Sequence, residues 1–267
     1  MVDSIKLFFA FVKVSMLTQM EYRMAYAVRS LGKLFHWGGS LVVLAIMLAR
    51  FQSIGTWNAY EVLLLYAINN LTYAIAATFT MPIHEISSRI RDGTVDSILT
   101  RPANPMYLIM CQQVSAGYTV NYALGIGVIV FAAINLQVQI TLVSVLLLVL
   151  SIIGGILIHA AALIATGVPS FWVIKSRALT SIFYDEASRF VDYPLNIYSY
   201  ATQFILTFLL PYAFISFYPA GLFLGKTDES IFGSAIYFFP LLVGVVCFAL
   251  AYKFWTIGLN AYESTGS

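Results

Sequence analysis

The chain has 267 residues, 60% of them hydrophobic and only 10% charged, with a mean hydropathy of +0.86. An average soluble domain carries about 25% charged residues, so this composition excludes an ordinary water-soluble fold. The formal net charge of +2 says nothing for a nucleic-acid partner, none of which is expected, and where the charges fall says more than their sum.

Met1 to Gln19 is expected not to be a signal peptide, because Lys6 and Lys13 interrupt its apolar stretch and no small-residue cleavage site follows. Lys6 and Lys13 share one helical face, opposite Ile5, Phe8, Phe9, Val12 and Met16. The pattern predicts an amphipathic helix along the membrane surface, within a cytoplasmic and interfacial segment at 1–33.

Crossing a ~30 Å hydrocarbon core takes about 20 apolar residues at ~1.5 Å each. Residues 34–49 form a first charge-free run, short at 16 residues but flanked by Lys33 and Arg50, whose side chains reach outward. His36 falls at the predicted inner boundary.

Residues 62–84 form a second run. Tyr66, Asn69, Asn70 and Tyr73 lie three and four residues apart along it, on one helical face. Two asparagines at mid-membrane need partners, which are other helices, waters or a transported molecule.

The following segment, 84–105, is polar. Ile86 and Ile90 share one side of a helical turn, Gly93 is a helix terminator and Thr94 an N-cap. Val95, Ile98 and Leu99 make a second amphipathic turn, stopped by Pro102 and Pro105. A compact knob results, apolar on one side, either resting on lipid headgroups or seated in a groove of a soluble partner.

From Pro102 to Ile174, 73 consecutive residues lack Asp, Glu, Lys and Arg. Asn135-Leu-Gln137-Val-Gln139 is the polar break near the middle, so the run holds spans three and four. Of the Asp, Glu, Lys, Arg and His residues, His159 alone falls well inside a predicted span, and is read as hydrogen-bonded to a neighbouring helix.

The loop at 174–193 carries Asp185, Glu186 and Asp192 around Arg189, read as solvated charge pairs. Residues 193–225 then make span five, with Gln203, Phe204, Thr207 and Phe208 at helical spacing and a kink at Pro211. Pro219, Gly221, Gly225 and Gly233 interrupt apolar sequence, which predicts a re-entrant segment at 219–233. The last run, 230–252, is span six, and 254–267 is a tail.

With the N-terminus inside, 12 of the 14 basic residues fall on one face, leaving Arg50 and Lys226 on the other. That excess marks the cytoplasmic side, so both termini are expected there. Trp37, Trp172 and Trp255 fall at inner boundaries and Trp57 at an outer one, where rings prefer the headgroup layer. Cys111 and Cys247 read as packing thiols.

Catalytic signals are weak. His84-Glu85 lacks the second histidine of a zinc-protease helix. Ala220 to Thr227 imitates a phosphate loop ending in Gly225-Lys226-Thr227, but without a strand before it or an acidic partner for magnesium. The Asn70-Leu-Thr72 sequon sits mid-span. No cofactor or metal is expected on this chain.

The loop RDGTVDSILTRPANP, the segment at 193–225 and the terminal FWTIGLNAYESTGS resemble the permease subunits of type-2, export-class ATP-binding cassette transporters, specifically the bacterial short-loop, six-span subfamily. The resemblance covers nearly the whole chain. It implies an all-α polytopic membrane protein with an N-terminal interfacial helix, six transmembrane helices, a coupling helix between spans two and three, and short re-entrant helices before span six.

It further implies that the knob is the coupling helix. Glu85, Arg89, Arg91 and Asp92 would be polar contacts with an ATPase subunit, and Ile86 and Ile90 apolar anchors on it. ATP and Mg would then be bound by separate ATP-binding cassette subunits, two of them with two permeases, identical or related, in a bacterial plasma membrane. The cargo path would run between the permeases along spans two and five, past Tyr66, Asn69, Asn70, Tyr73, Gln203, Phe204, Thr207 and Phe208. An uncharged, aromatic lining suits lipophilic or amphipathic cargo. The competing readings are a lipid-modifying membrane enzyme built around Asp185, Glu186 and Asp192, and a membrane scaffold with no transport path.

Overall fold

A computed structural model describes residues 23–51, 53–112, 114, 116–173, 184 and 187–262, with residues 10, 13, 14, 17 and 21. Most of the expected interfacial helix, much of the 174–193 segment and the end of the tail lie outside the described residues.

The first helix, α1 (Arg23–Phe51), has 29 residues. At ~1.5 Å per residue it is about 44 Å long, so the apparent shortness of the first apolar run disappears: the helix continues unbroken back through Lys33. A two-stranded turn, β1 (Ser53–Ile54) and β2 (Trp57–Asn58), leads into α2 (Ala59–His84). Asn58 accepts from the backbone amides of Tyr60 and Glu61, and Glu61 accepts from the Asn58 amide, a reciprocal box that sets where α2 starts.

Two short helices, α3 (Ile86–Arg91) and α4 (Thr94–Leu99), form the knob. The third crossing is broken into α5 (Pro105–Gln112) and α6 (Thr119–Asn135). Gln137, with a left-handed φ of 49°, turns the chain toward α7 (Leu142–Gly167), which Thr141 and Ser144 cap reciprocally. The polar break at 135–139 is thus the turn between two crossings, as expected.

Helices α2, α7 and the last helix, α10 (Pro240–Asn260), run the same way through the bundle. Gly155 meets Thr72 and Gly167 meets Ile83, while Gly154 faces Pro240 and Gly258 faces Val168 and Phe171. At Gly154 and Gly244 a Cβ would collide with the facing helix backbone. Small residues allow this closeness, the main source of helix adhesion where lipid removes the hydrophobic drive.

By length and composition, four helices among the described residues suffice to cross a membrane: Tyr26–Met47, Ala59–Arg91, Leu142–Phe171 and Pro240–Asn260. Span five does not exist as read from sequence. Helix α8 (Tyr200–Phe204), extended by a π-helical turn to Leu209, is bent by 76° from the following segment Tyr212–Leu224, which contains α9 (Phe217–Leu224). Asn196, ahead of this pair, and Lys226 and Glu229, after it, all meet Thr56. The pair therefore leaves and regains the same end of the bundle, as a re-entrant hairpin broken at Leu210–Pro211. It lies earlier than the expected 219–233.

The chain reaches the hairpin end before this pair, over 172–196, a fifth crossing of which only 172, 173, 184 and 187–196 are among the described residues. Phe171 packs on Trp255 at the knob end, and Asn196 meets Thr56 at the opposite, hairpin end. Between them the described part runs as 3-10 turns at Ala187–Asp192 and Leu195–Ile197, beside α2. Trp255 at the knob end and Trp57 at the hairpin end are fully buried core anchors, while Trp172 is half exposed.

Candidate functional site: a polar knob and a polar crossing

The knob is held from inside. Ile86, Ile90, Val95 and Ile98 are at most 3% exposed, packed with Ile109, Val168, Phe171 and Trp255. Gly93, at φ 65°, joins the two helices, a backbone conformation that a side chain would strain. Thr94 is the first residue of α4 rather than its cap, and its hydroxyl donates back to the Arg89 carbonyl at 3.1 Å.

Two further bonds tie the knob to the last helix: Tyr262 Oη donates to Asp96 at 3.0 Å and Asn104 Nδ2 to Tyr252 Oη at 2.9 Å. Burial, with Asp96 beside it, pushes the Tyr262 phenol up from its ordinary pKa.

This geometry corrects the expectation for Ile86 and Ile90. Their apolar surface is consumed within the chain, so neither is an anchor on a partner. What the knob presents outward is Glu85, Arg91, Asp92, Thr94, Ser97 and Leu99, with Arg89 half-buried behind them.

Every polar residue predicted on span two finds a partner inside the chain. Tyr66 Oη donates to the Trp37 carbonyl at 2.7 Å, Asn121 Nδ2 donates to Asn70 Oδ1 at 2.9 Å, and the Tyr73 ring packs edge-on against Tyr118. Asn69 is the hub of a longer series. Its Nδ2 donates to Asp192 at 2.7 Å, its Oδ1 faces His159 Nε2 at 3.1 Å, and His159 Nδ1 lies 3.0 Å from Tyr184 Oη. His159 is 1% exposed and both its ring nitrogens have partners, as the sequence suggested for a helix-bridging histidine.

Asp192 is where sequence reasoning failed. Its sequence context is that of a solvated loop, yet it bonds Asn69, ten residues into α2. An ionisable side chain therefore lies beside the middle of α2, with the exposed Arg189 three residues before it. The warning in the sequence was a pair of prolines, Pro211 and Pro219, inside the apolar run taken for span five.

In the hairpin, Gln203 and Thr207 are buried and bonded internally, to the Tyr198 carbonyl and Tyr218 Oη. Phe204 and Phe208 instead point outward, 48% and 55% exposed, and share a ring cluster with Phe232. The four predicted path residues of the hairpin therefore split, with the two phenylalanines accessible and the two polar residues committed to the interior.

A third polar group closes the hairpin end. Lys226 Nζ lies 2.7 Å from Glu61 and donates to the Thr56 carbonyl, while Glu229 accepts from Thr56, Trp57 and Asn196. The lysine of the phosphate-loop look-alike is thus part of an ion pair that fastens two connections together.

These features define the class: an all-helical, multi-pass membrane protein with a re-entrant hairpin, a polar crossing and a self-packed polar knob at one end. The family model described as an ABC-2 family transporter protein matches residues 34–266. The chain belongs to that family and is a membrane component of a transporter. No curated protein and no solved structure gave a significant match.

Proposed function

We propose that this chain is the permease subunit of an ATP-driven exporter, paired with a second permease along its fifth crossing and driven through the knob by separate ATP-binding cassette subunits that carry the ATP and Mg. The observation behind the pairing is the fifth crossing itself. Its described part is irregular, Arg189 is exposed on it and Asp192 is half-buried beside Asn69. Irregular backbone and ionised side chains persist at membrane depth only where protein or water covers them. A second permease supplies that cover, and the seam between the two gives cargo its route.

Because Tyr66, Asn70, Gln203 and Thr207 face inward, the lining falls to Arg189, Asp192 and the exposed rings of Phe204 and Phe208. This adds charge to a path read from sequence as neutral, and favours amphipathic cargo over purely apolar cargo. On the coupling side, the knob offers a rigid polar boss whose exposed groups Glu85, Arg91 and Asp92 suit a complementary ATPase surface. Lys33, Arg89, Arg91, Arg101 and Lys253 lie toward this end, which makes it the cytoplasmic one in a bacterial plasma membrane.

Cysteine accessibility tests the seam. In a Cys111→Ala, Cys247→Ala background, Arg189→Cys is expected to react with a membrane-impermeant charged thiol reagent and to form permease–permease crosslinks. Val246→Cys, on the lipid-facing side of α10, is expected to do neither. Position 189 unreactive to the charged reagent and free of crosslinks would show that it faces lipid, and the paired arrangement would fall.

A further inference from the structure

A cavity of about 460 Å³ lies between α7, α10 and the tip of the re-entrant hairpin, within the roughly 300–1,000 Å³ range of small-molecule sites. We infer that it is a binding site for a hydrocarbon chain, occupied by one acyl chain of a bilayer phospholipid.

The walls explain why the space exists. Helices α7 and α10 touch backbone to backbone at Gly154 and Gly244, and a second close contact forms where Gly258 meets the side chains of Val168 and Phe171, just past the end of α7. Between these two pins the facing side chains are small, Ala162 and Ala165 on α7 and Cys247 and Ala251 on α10. Two helices pinned at both ends with alanine between them cannot close the gap by sliding together. The third wall is the break in the hairpin, Leu210, Pro211 and Tyr212, where no regular helix presents side chains to fill it.

The lining chemistry selects the occupant. No Asp, Glu, Lys, Arg or His is among the residues that line the cavity. The hydroxyl of Thr166 is engaged, donating to the Ala162 carbonyl at 2.9 Å and lying 3.1 Å from His84 Nδ1. An ion or a polar headgroup would lose its hydration here and gain little in return, whereas a hydrocarbon chain loses nothing.

The rim supplies the source. Leu250 and Phe254, 62% and 37% exposed, border the cavity and belong to the apolar outer surface of α10. The mouth is thus continuous with the surface that meets the bilayer, where acyl chains are the most abundant apolar molecules. The site is distinct from the fifth crossing and its charged seam, and it does not depend on the exporter reading.

The test is photolabelling of the protein in phosphatidylcholine nanodiscs that contain a phosphatidylcholine with a mid-chain diazirine. Adducts are expected to concentrate on 162–166 and 247–254, above the level on the equally lipid-facing 142–146, where Leu142 is 87% exposed. Ala165→Phe, filling the cavity from α7, is expected to cut the 162–166 and 247–254 adducts about tenfold, equivalent to ~1.4 kcal/mol of binding, and to leave those on 142–146 unchanged. Cys247→Phe, filling it from α10, is expected to do the same, and the unchanged 142–146 adducts report that each variant is folded. Adducts spread evenly over the lipid-facing helices, or insensitive to both substitutions, would overturn the site. Labelling by a diazirine alkylammonium that excess phosphatidylcholine fails to displace would assign the cavity to cargo and overturn the lipid assignment.

Discussion

The two ends of the bundle are fastened by opposite chemistry. At the knob end, Ile86, Ile90, Val95 and Ile98 are sealed against Phe171 and Trp255, with the Tyr262–Asp96 and Asn104–Tyr252 bonds beside this apolar seal. At the hairpin end the fasteners are Lys226, Glu61, Glu229 and Asn196, with Trp57 contributing its ring nitrogen. Close-packed apolar contacts are insensitive to salt, whereas the partly exposed Lys226–Glu61 pair is screened by it.

The largest test breaks the knob. Ile86→Asp with Ile90→Asp puts two carboxylates where the side chains are 0% and 2% exposed, which is expected to cost more than about 4 kcal/mol. Thermal unfolding of the purified protein, or its loss from the membrane fraction, reads this. A folded, stable double variant would show that the apolar side of the knob is not committed inward.

Asn69→Leu comes next. It removes the partner of both His159 and Asp192 in the buried series, at an expected cost of about 2–4 kcal/mol. The melting temperature is expected to fall without a change in knob accessibility, since Asn69 lies ~22 Å along α2 from the knob.

Lys226→Met strands the nearly buried Glu61. The pair is partly solvated on the lysine side, so the expected loss is about 1–2 kcal/mol. Limited proteolysis is expected to show it as opening at 225–233, with the knob still protected. Opening at both ends together would mean that the two ends are one cooperative unit, and the contrast drawn above would be lost.

Arg91→Glu with Asp92→Lys has the smallest structural effect. Both side chains are exposed, so stability is expected to shift by no more than about 0.5 kcal/mol. Co-purification with the cognate ATPase is expected to drop sharply. Retained co-purification and turnover would leave the knob as a structural brace only.

Much of the architecture was legible from residue pattern. Charge-free runs mark α1, α2, α7 and α10, and the break at 135–139 is a turn, because lipid penalises charge on any exposed helix face. The knob's two turns and their apolar side were equally readable, as was the partnered state of His159.

The direction in which the knob's apolar side points was not legible, since a buried face looks the same in sequence whether its own chain or a partner covers it. Nor was the fifth crossing. An apolar run that turns back at Leu210–Pro211 has the composition of a span, and a charged segment that crosses beside Asn69 has the composition of a loop. Hydropathy records how much water a stretch avoids, not whether its two ends emerge on the same side. Only long-range contacts, Asn196 and Lys226 meeting at Thr56 and Asp192 reaching Asn69, decide between them.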